Sequence, residues 1–302
     1  MEVIERKGAG HPDTLADMLG EELGNLLIKA YKKEYKQVMH YNVDKVLVAC
    51  GKVDYNKNRF IEPVSLIFAG NYTPLKKTDI LKLMKKAAEK VLDPEIASGL
   101  KYRIENRLSE CSIDLTHNFN RKRANDTSFA VAHPLTENEK KVLEIGKYLD
   151  NLYKKDKNIG RDNKVMYIDG AYHIALAFRY PINISKYFEK KHNISHTILT
   201  KFKVNSVWIN SADNQLTQFI TLTGTSLEQG DAGMTGRGNR RNGLITPCKP
   251  MTLEAYYGKN NITHIGRTYQ DLAQRIANKE NKSILLVNYI GGNIKRPIKI
   301  YL

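Results

Sequence analysis

Gly224–Lys259 reads GTSLEQGDAGMTGRGNRRNGLITPCKPMTLEAYYGK, and the rest of the chain is organised around it. Six of the chain's 20 glycines fall between Gly224 and Gly243, among Glu228, Asp231, Arg237, Arg240 and Arg241. Glycine at this density lets a backbone turn through positive φ and come close to a ligand. Arginine forks set among glycines suit phosphate oxygens, which they grip in bidentate fashion. No Gly-Lys-Ser/Thr follows, so this is not a P-loop, and no G-x-G-x-x-G follows a strand. A disordered Gly/Arg linker is the bland alternative, but Met234, Leu244, Ile245, Pro247 and Met251 are spaced like a folded loop.

Working outward, Glu5-Arg6-Lys7-Gly8-Ala9-Gly10-His11-Pro12-Asp13 is a glycine-hinged loop entering a helix. Proline suits the first helical turn, and Asp13 complements the positive end of the helix dipole. Leu15, Leu19, Leu23, Leu27 and Ala30 recur at helical spacing and carry that helix to about Lys33. A His and an Asp at a glycine-flanked helix start suit a phosphate and metal site, and equally a plain helix cap.

The remaining pattern predicts strands at Val46–Cys50 and Val64–Ala69, then a helix over about Asp79–Val91. Leu100–Arg123 is polar and carries no clear period. A strand from Ala124 through Val131 precedes a helix over Glu137–Tyr153. A hairpin turns at Asp169-Gly170, and a helix follows over Ile184–Lys201. His192 and His196 within it are read as a surface coincidence, not a metal pair. Val204–Asn210 and Gln218–Thr223 are expected to form a strand pair, followed by a helix at Thr268–Asn278 and a strand at Ile284–Tyr289. Two strands followed by a helix recur about three times, which favours an α+β architecture with helices on one face of each sheet.

Composition bounds the function. The chain has 302 residues, 41% hydrophobic and 26% charged, with no apolar run of membrane-spanning length and no signal-peptide pattern. Cys50, Cys111 and Cys248 are too far apart to suggest a zinc knuckle or disulfide framework, so a cytoplasmic protein is expected. The net charge of +16 invites nucleic acid as a partner. Its lysines are scattered, however, and the balance leans to a small anionic ligand.

GAGHPDTLAD, HYNVDK, ANDTSF, the Asp-x-Lys of DNKVM, GDAGMTGRGNR, GLITP and LEAYYGKN together resemble the archaeal-type S-adenosylmethionine synthetases (methionine adenosyltransferases), in the same order and from Glu5 to about Lys279. The resemblance implies formation of S-adenosylmethionine from ATP and L-methionine, with triphosphate cleaved to pyrophosphate and phosphate. It implies one unit over residues 1–302, built from three interleaved α+β subdomains about a pseudo-threefold axis. It also implies Mg²⁺ and K⁺, and a homodimer with shared active sites, or a pair of such dimers. Carried over, His11 sits at the C5′–oxygen bond, Lys164 at the phosphates of the reacting centre, and Arg237 and Lys259 on the triphosphate. Asp126 and Glu5 serve methionine, Asp162 the ribose, and Arg240 a second phosphate contact. Asp13, Asp231 and Asp44 are the metal candidates, and His264 is a phosphate contact outside the catalytic set.

No activated nucleophile is needed, because a thioether sulfur already attacks carbon. The protein's task is to align sulfur with C5′ and stabilise charge on the departing triphosphate. The chain departs from the family in being shorter, with a compressed Thr73–Asp114 region, which puts edge strands and tetramer formation in question. Gly230-Asp231-Ala232-Gly233 replaces GDDG, and Asn261 and Thr263 replace Pro and Asn. The main charged groups are spared, so activity is expected to be kept, with altered cation dependence or an unusual methionine-site preference as the open outcomes. Two alternatives stay open: a catalytically weakened relative acting as a nucleotide-binding or regulatory partner, and a basic nucleic-acid-binding protein.

Overall fold

The computed structural model describes residues 1–113, 115, 123–124, 126–214 and 216–302. Asn125 of the ANDTSF segment and much of the unassigned stretch before Arg123 lie outside them. Three larger sheets, each with its own helices and its own apolar core, and one two-stranded hairpin make up the described chain.

The first sheet runs β2 (Tyr41–Ala49), β5 (Val64–Tyr72) and β6 (Tyr102–Glu110), with the two-residue β12 (Gly233–Met234) on the other side of β2. Helices α1 (Pro12–Tyr35) and α2 (Ile80–Val91) pack on it, and the short α3 (Asp93–Ala97) follows α2. Leu15, Leu19, Leu23 and Leu27 are fully buried, one per turn along a single face of α1. Each such burial contributes about 1.5–3 kcal/mol. A small hairpin, β3 (Lys52–Asp54) and β4 (Arg59–Glu62), stands between β2 and β5.

The second sheet is ordered β1 (Val3–Lys7), β8 (Ile159–Ile168), β9 (Ala171–Arg179), β10 (Ser206–Ile209), backed by α4 (Glu137–Leu149) and α5 (Ile184–Phe202). The third is β7 (Ser128–Ala132), β13 (Ile284–Asn288) and β14 (Ile298–Tyr301), backed by α6 (Ile265–Glu280). The sheets exchange strands along the sequence: β1 pairs with β8, and β7 with β13, each across more than a hundred residues.

Three local expectations change. Val204–Asn210 and Gln218–Thr223 do not pair with each other; β10 and the short β11 (Ile220–Thr221) lie along the same edge of β9, both parallel to it. The physical reason is Asn210, which turns into the left-handed region at φ 45° and leaves the ladder. Its side-chain amide then replaces the missing backbone bonds, accepting from Leu176 N at 2.8 Å and donating to Leu176 O at 2.9 Å. The helix beginning at Glu137 stops at Leu149 because Asp150 is recruited to accept from Ala9 N and Asn163 Nδ2, at 2.9 and 3.0 Å. The polar stretch after Leu100 contains a full nine-residue strand, β6, paired parallel to β5.

The glycine-rich stretch stitches the three sheets together. Thr235 N bonds Val46 O at 3.0 Å, and Glu5 and Ile245 exchange two backbone bonds of 2.8 Å. Thr252 Oγ1 accepts from Val131 N at 2.7 Å, and Val43 N then returns to Gly258 O at 3.0 Å. One loop therefore touches β2, β1 and β7 before entering α6.

Candidate active site

His11 caps α1: its Nδ1 accepts the backbone N–H of Asp13 at 3.2 Å. The loop before it is clamped onto β8, with Gly8 N on Asn163 O at 2.6 Å and Gly10 N on Arg161 O at 3.1 Å. A Cβ at Gly10 would lie 2.5 Å from the Arg161 carbonyl carbon, so this approach requires glycine. From the other side Gly233 comes so close that a Cβ would sit 2.0 Å from Pro12 O. The two glycines press the helix start between the second sheet and the Asp231 loop.

The result is a buried imidazole between two carboxylates. His11 Nδ1 lies 4.0 Å from Asp13 Oδ2, and Nε2 lies 3.7 Å from Asp231 Oδ2. Burial first, then the Lys164 and Lys7 ammoniums, lowers its pKa to about 4, against the opposing pull of Asp13. His11 is therefore neutral at pH 7. Because Nδ1 accepts from the backbone, the proton resides on Nε2, which is left as a donor.

Asp13 is fully engaged: Oδ1 accepts from Met234 N at 2.9 Å, and Oδ2 pairs with Lys7 Nζ at 2.7 Å. Asp162, on β8, is buried and accepts both Ser226 N and Ser226 Oγ, at 2.9 and 2.5 Å. Burial raises its pKa to about 6 despite those two bonds. Lys164, two residues on, extends from β8 with Glu5 Oε2 3.9 Å away, and it lines a cavity of about 550 Å³ with Met166 and His173.

The four expected phosphate-binding cations separate into two kinds. Lys164 is 37% exposed, and the exposed Arg237 makes no ion pair among the described residues. Lys259 is 2% exposed and locked between Glu254 at 2.6 Å and Asp44 at 3.3 Å. Arg240 is turned back into its own loop, donating to Gly236 O and Gly238 O at 2.5 and 2.6 Å. Asp44 thus serves Lys259 and Lys45, while the exposed Asp126 accepts its neighbour Thr127 N at 2.7 Å and acts electrostatically on His264. His192 and His196 are both exposed on α5.

Two contributors were not singled out from sequence. Lys7 bonds Arg237 O at 2.8 Å as well as Asp13. Asp17, one turn after Asp13 on the same helix face, is buried and accepts from Gly236 N at 2.9 Å; burial lifts its carboxyl to about 7. The i, i+4 spacing of Asp13 and Asp17 was the signal available for the second.

Among the described residues no three His, Cys, Asp or Glu side chains form a ready metal cage. Asp13 and Asp231 on either side of His11 nonetheless fit Mg²⁺, which takes one or two carboxylates and completes its shell with phosphate oxygens and water.

A helix N-terminus held between two loops, a neutral histidine donor and two cations free to reach a ligand, Lys164 and Arg237, together suit a polyanionic ligand. The sequence matches the S-adenosylmethionine synthetase (AdoMet synthetase) family model over residues 1–301. It is 37% identical to a "Probable S-adenosylmethionine synthase" of Aquifex aeolicus, covering 98% of this chain and 84% of that one. Against the S-adenosylmethionine synthases of Thermoplasma acidophilum and Pyrococcus furiosus, identity is 35% and 33%, with 92% and 99% of this chain and 76% and 84% of theirs covered. A solved structure titled as an unusual S-adenosylmethionine synthetase from Campylobacter jejuni shares the fold, with a TM-score of 0.62 over 96% of this chain and 77% of that one, at 16% identity. The chain belongs to the S-adenosylmethionine synthetase family, the methionine adenosyltransferases, and is an enzyme of that class.

Proposed function

We propose that the chain forms S-adenosylmethionine from ATP and L-methionine at the His11 end of α1, as a homodimer. The observation that carries the reading is the neutral His11 with Nε2–H free, framed by Asp13, Asp231 and Lys164. The methionine sulfur donates its lone pair to C5′ of ATP; the C5′–O5′ bond breaks and its electrons leave on the triphosphate oxygen. His11 Nε2–H donates a hydrogen bond to that oxygen. Lys164 and Arg237, the unlocked cations, meet the phosphates, with Lys259 and Arg240 holding the loop behind them. Asp13 and Asp231 would hold Mg²⁺, which would supply neutralising charge to the triphosphate. Asp162 orients the ribose, and Glu5 and Asp126 receive methionine. Preorganised donors of this kind are worth about 10²–10³-fold in rate each.

A homodimer is supported by the sheet faces turned away from the helices. Cross-strand register puts Met166, Ile168 and Trp208 on one such face, beside Lys164, and Phe129, Ile298 and Ile300 on another. Trp208 is 56% exposed and Ile298 52%. Apolar sheet faces left uncovered mark a partner surface. No helix among the described residues is long and apolar enough to cross a membrane, and three free cysteines fit a reducing, cytoplasmic setting.

The test is purified protein with ATP, L-methionine, Mg²⁺ and K⁺, following S-adenosylmethionine and phosphate together. Equal yields of both, abolished by Lys164→Ala, are expected. Omitting K⁺ reads whether Ala232, in place of a second acid, alters the cation dependence. Nucleotide binding without turnover would favour a weakened relative instead.

A further inference from the structure

Asp13, the carboxylate best placed for a metal, already has a cation on it. Lys7 Nζ lies 2.7 Å from Asp13 Oδ2 and 2.8 Å from the carbonyl of Arg237. The side chains of Lys7 and Asp13 are only 12% and 11% exposed, so the pair is shielded from bulk water. The backbone of Lys7 is pinned on both sides by one side chain: Asn239 Oδ1 accepts Lys7 N at 2.9 Å and Asn239 Nδ2 donates to Lys7 O at 2.8 Å. Only the four-carbon stem is left to swing.

We propose that Lys7 is a resident counter-ion that holds Asp13 in the resting enzyme and is displaced from it when a divalent cation binds. This rests on the reading of Asp13 as a metal ligand. A buried carboxylate without a partner is strongly unfavourable, and Asp13 has one oxygen on Met234 N and the other on Lys7. A divalent cation on Oδ2 would share that oxygen with an ammonium, and the two like charges repel strongly in a shielded site. The metal therefore binds against Lys7. The displaced ammonium keeps its second partner, Arg237 O, on the loop that presents the exposed Arg237 guanidinium. Metal entry at Asp13 is in this way coupled to the position of a phosphate-gripping loop, and Lys7 acts as a positioning residue.

The test is Mn²⁺ binding to the substrate-free protein, read by the loss of free-ion EPR signal. Lys7→Met, which keeps the stem and removes the charge, is expected to bind Mn²⁺ about tenfold more tightly than wild type, while Lys7→Arg restores the weaker affinity. Lys7→Gln serves the same purpose if the methionine variant does not fold. Asp13→Asn is expected to weaken Mn²⁺ in both backgrounds. Unchanged or weaker binding in Lys7→Met, with Asp13→Asn still harmful, overturns the Lys7 role alone. Binding indifferent to Asp13→Asn overturns the metal reading of Asp13 and the Lys7 role with it.

Discussion

Two helices among the described residues begin on a buried histidine, and the contrast between them shows what suits one end to the proposed active site. His11 caps α1 with Nδ1 on the N–H of residue i+2, at 3.2 Å; His264 caps α6 the same way, on Gly266 N at 3.1 Å. Burial is the leading cause of a pKa lowered to about 4 in each, with nearby lysines adding to it. The ends diverge at the next positions. Two residues after His11 stands Asp13, and six after it the buried Asp17; the same offsets from His264 give Gly266 and the buried Gln270. Asp17 accepts from the glycine-rich loop, whereas Gln270 donates to Glu254 O and Gly266 O. One cap is shared architecture; the acids behind it convert the α1 end into a charge-handling site.

The largest expected stability effect sharpens that difference through Asp17. Its folded pKa of about 7 lies above the ordinary 3.8, so the folded state holds the proton more tightly. Wild type is therefore penalised as pH rises through that window, fully above pH 7 and not at all below 3.8. Asp17→Asn keeps an acceptor for Gly236 N and removes the titrating charge. Urea denaturation is expected to show the variant stabilised relative to wild type at pH 8, on the order of 4 kcal/mol, with the gap closing towards pH 4. A gap independent of pH would mean that Asp17 is not a strained ionisable group.

A smaller effect belongs to the other end. His264→Ala removes a cap and leaves Gly266 N without its acceptor, and should lower stability by about 1–2 kcal/mol at pH 7 in the same experiment. A loss well beyond that would show His264 doing more than capping.

The contrast also marks what the sequence could carry. The glycine-rich stretch and the GHPD turn were legible because close approach and capping demand particular residues at particular places, such as Gly233 against Pro12. The α1 stripe of leucines was legible from its period. β6 was not, because all nine of its residues are partly or fully exposed with no strict alternation, and Arg103, Glu105 and Arg107 conceal a strand. The β10–β11 arrangement depended on one asparagine amide standing in for backbone. Lys7 reads as part of a charged run, Glu5-Arg6-Lys7; only the pairing of β1 with β8, far along the chain, turns it towards Asp13. Lys259 and Arg240 looked free in sequence and are braced in the fold by Glu254, Asp44 and two loop carbonyls.

The most direct test measures kcat for S-adenosylmethionine formation in His11→Ala and His264→Ala side by side, with folding verified by circular dichroism. The account predicts a fall of about 10²–10³-fold for His11→Ala and less than about tenfold for His264→Ala. Equal losses in the two variants, or a His11→Ala enzyme that retains its turnover, would contradict it.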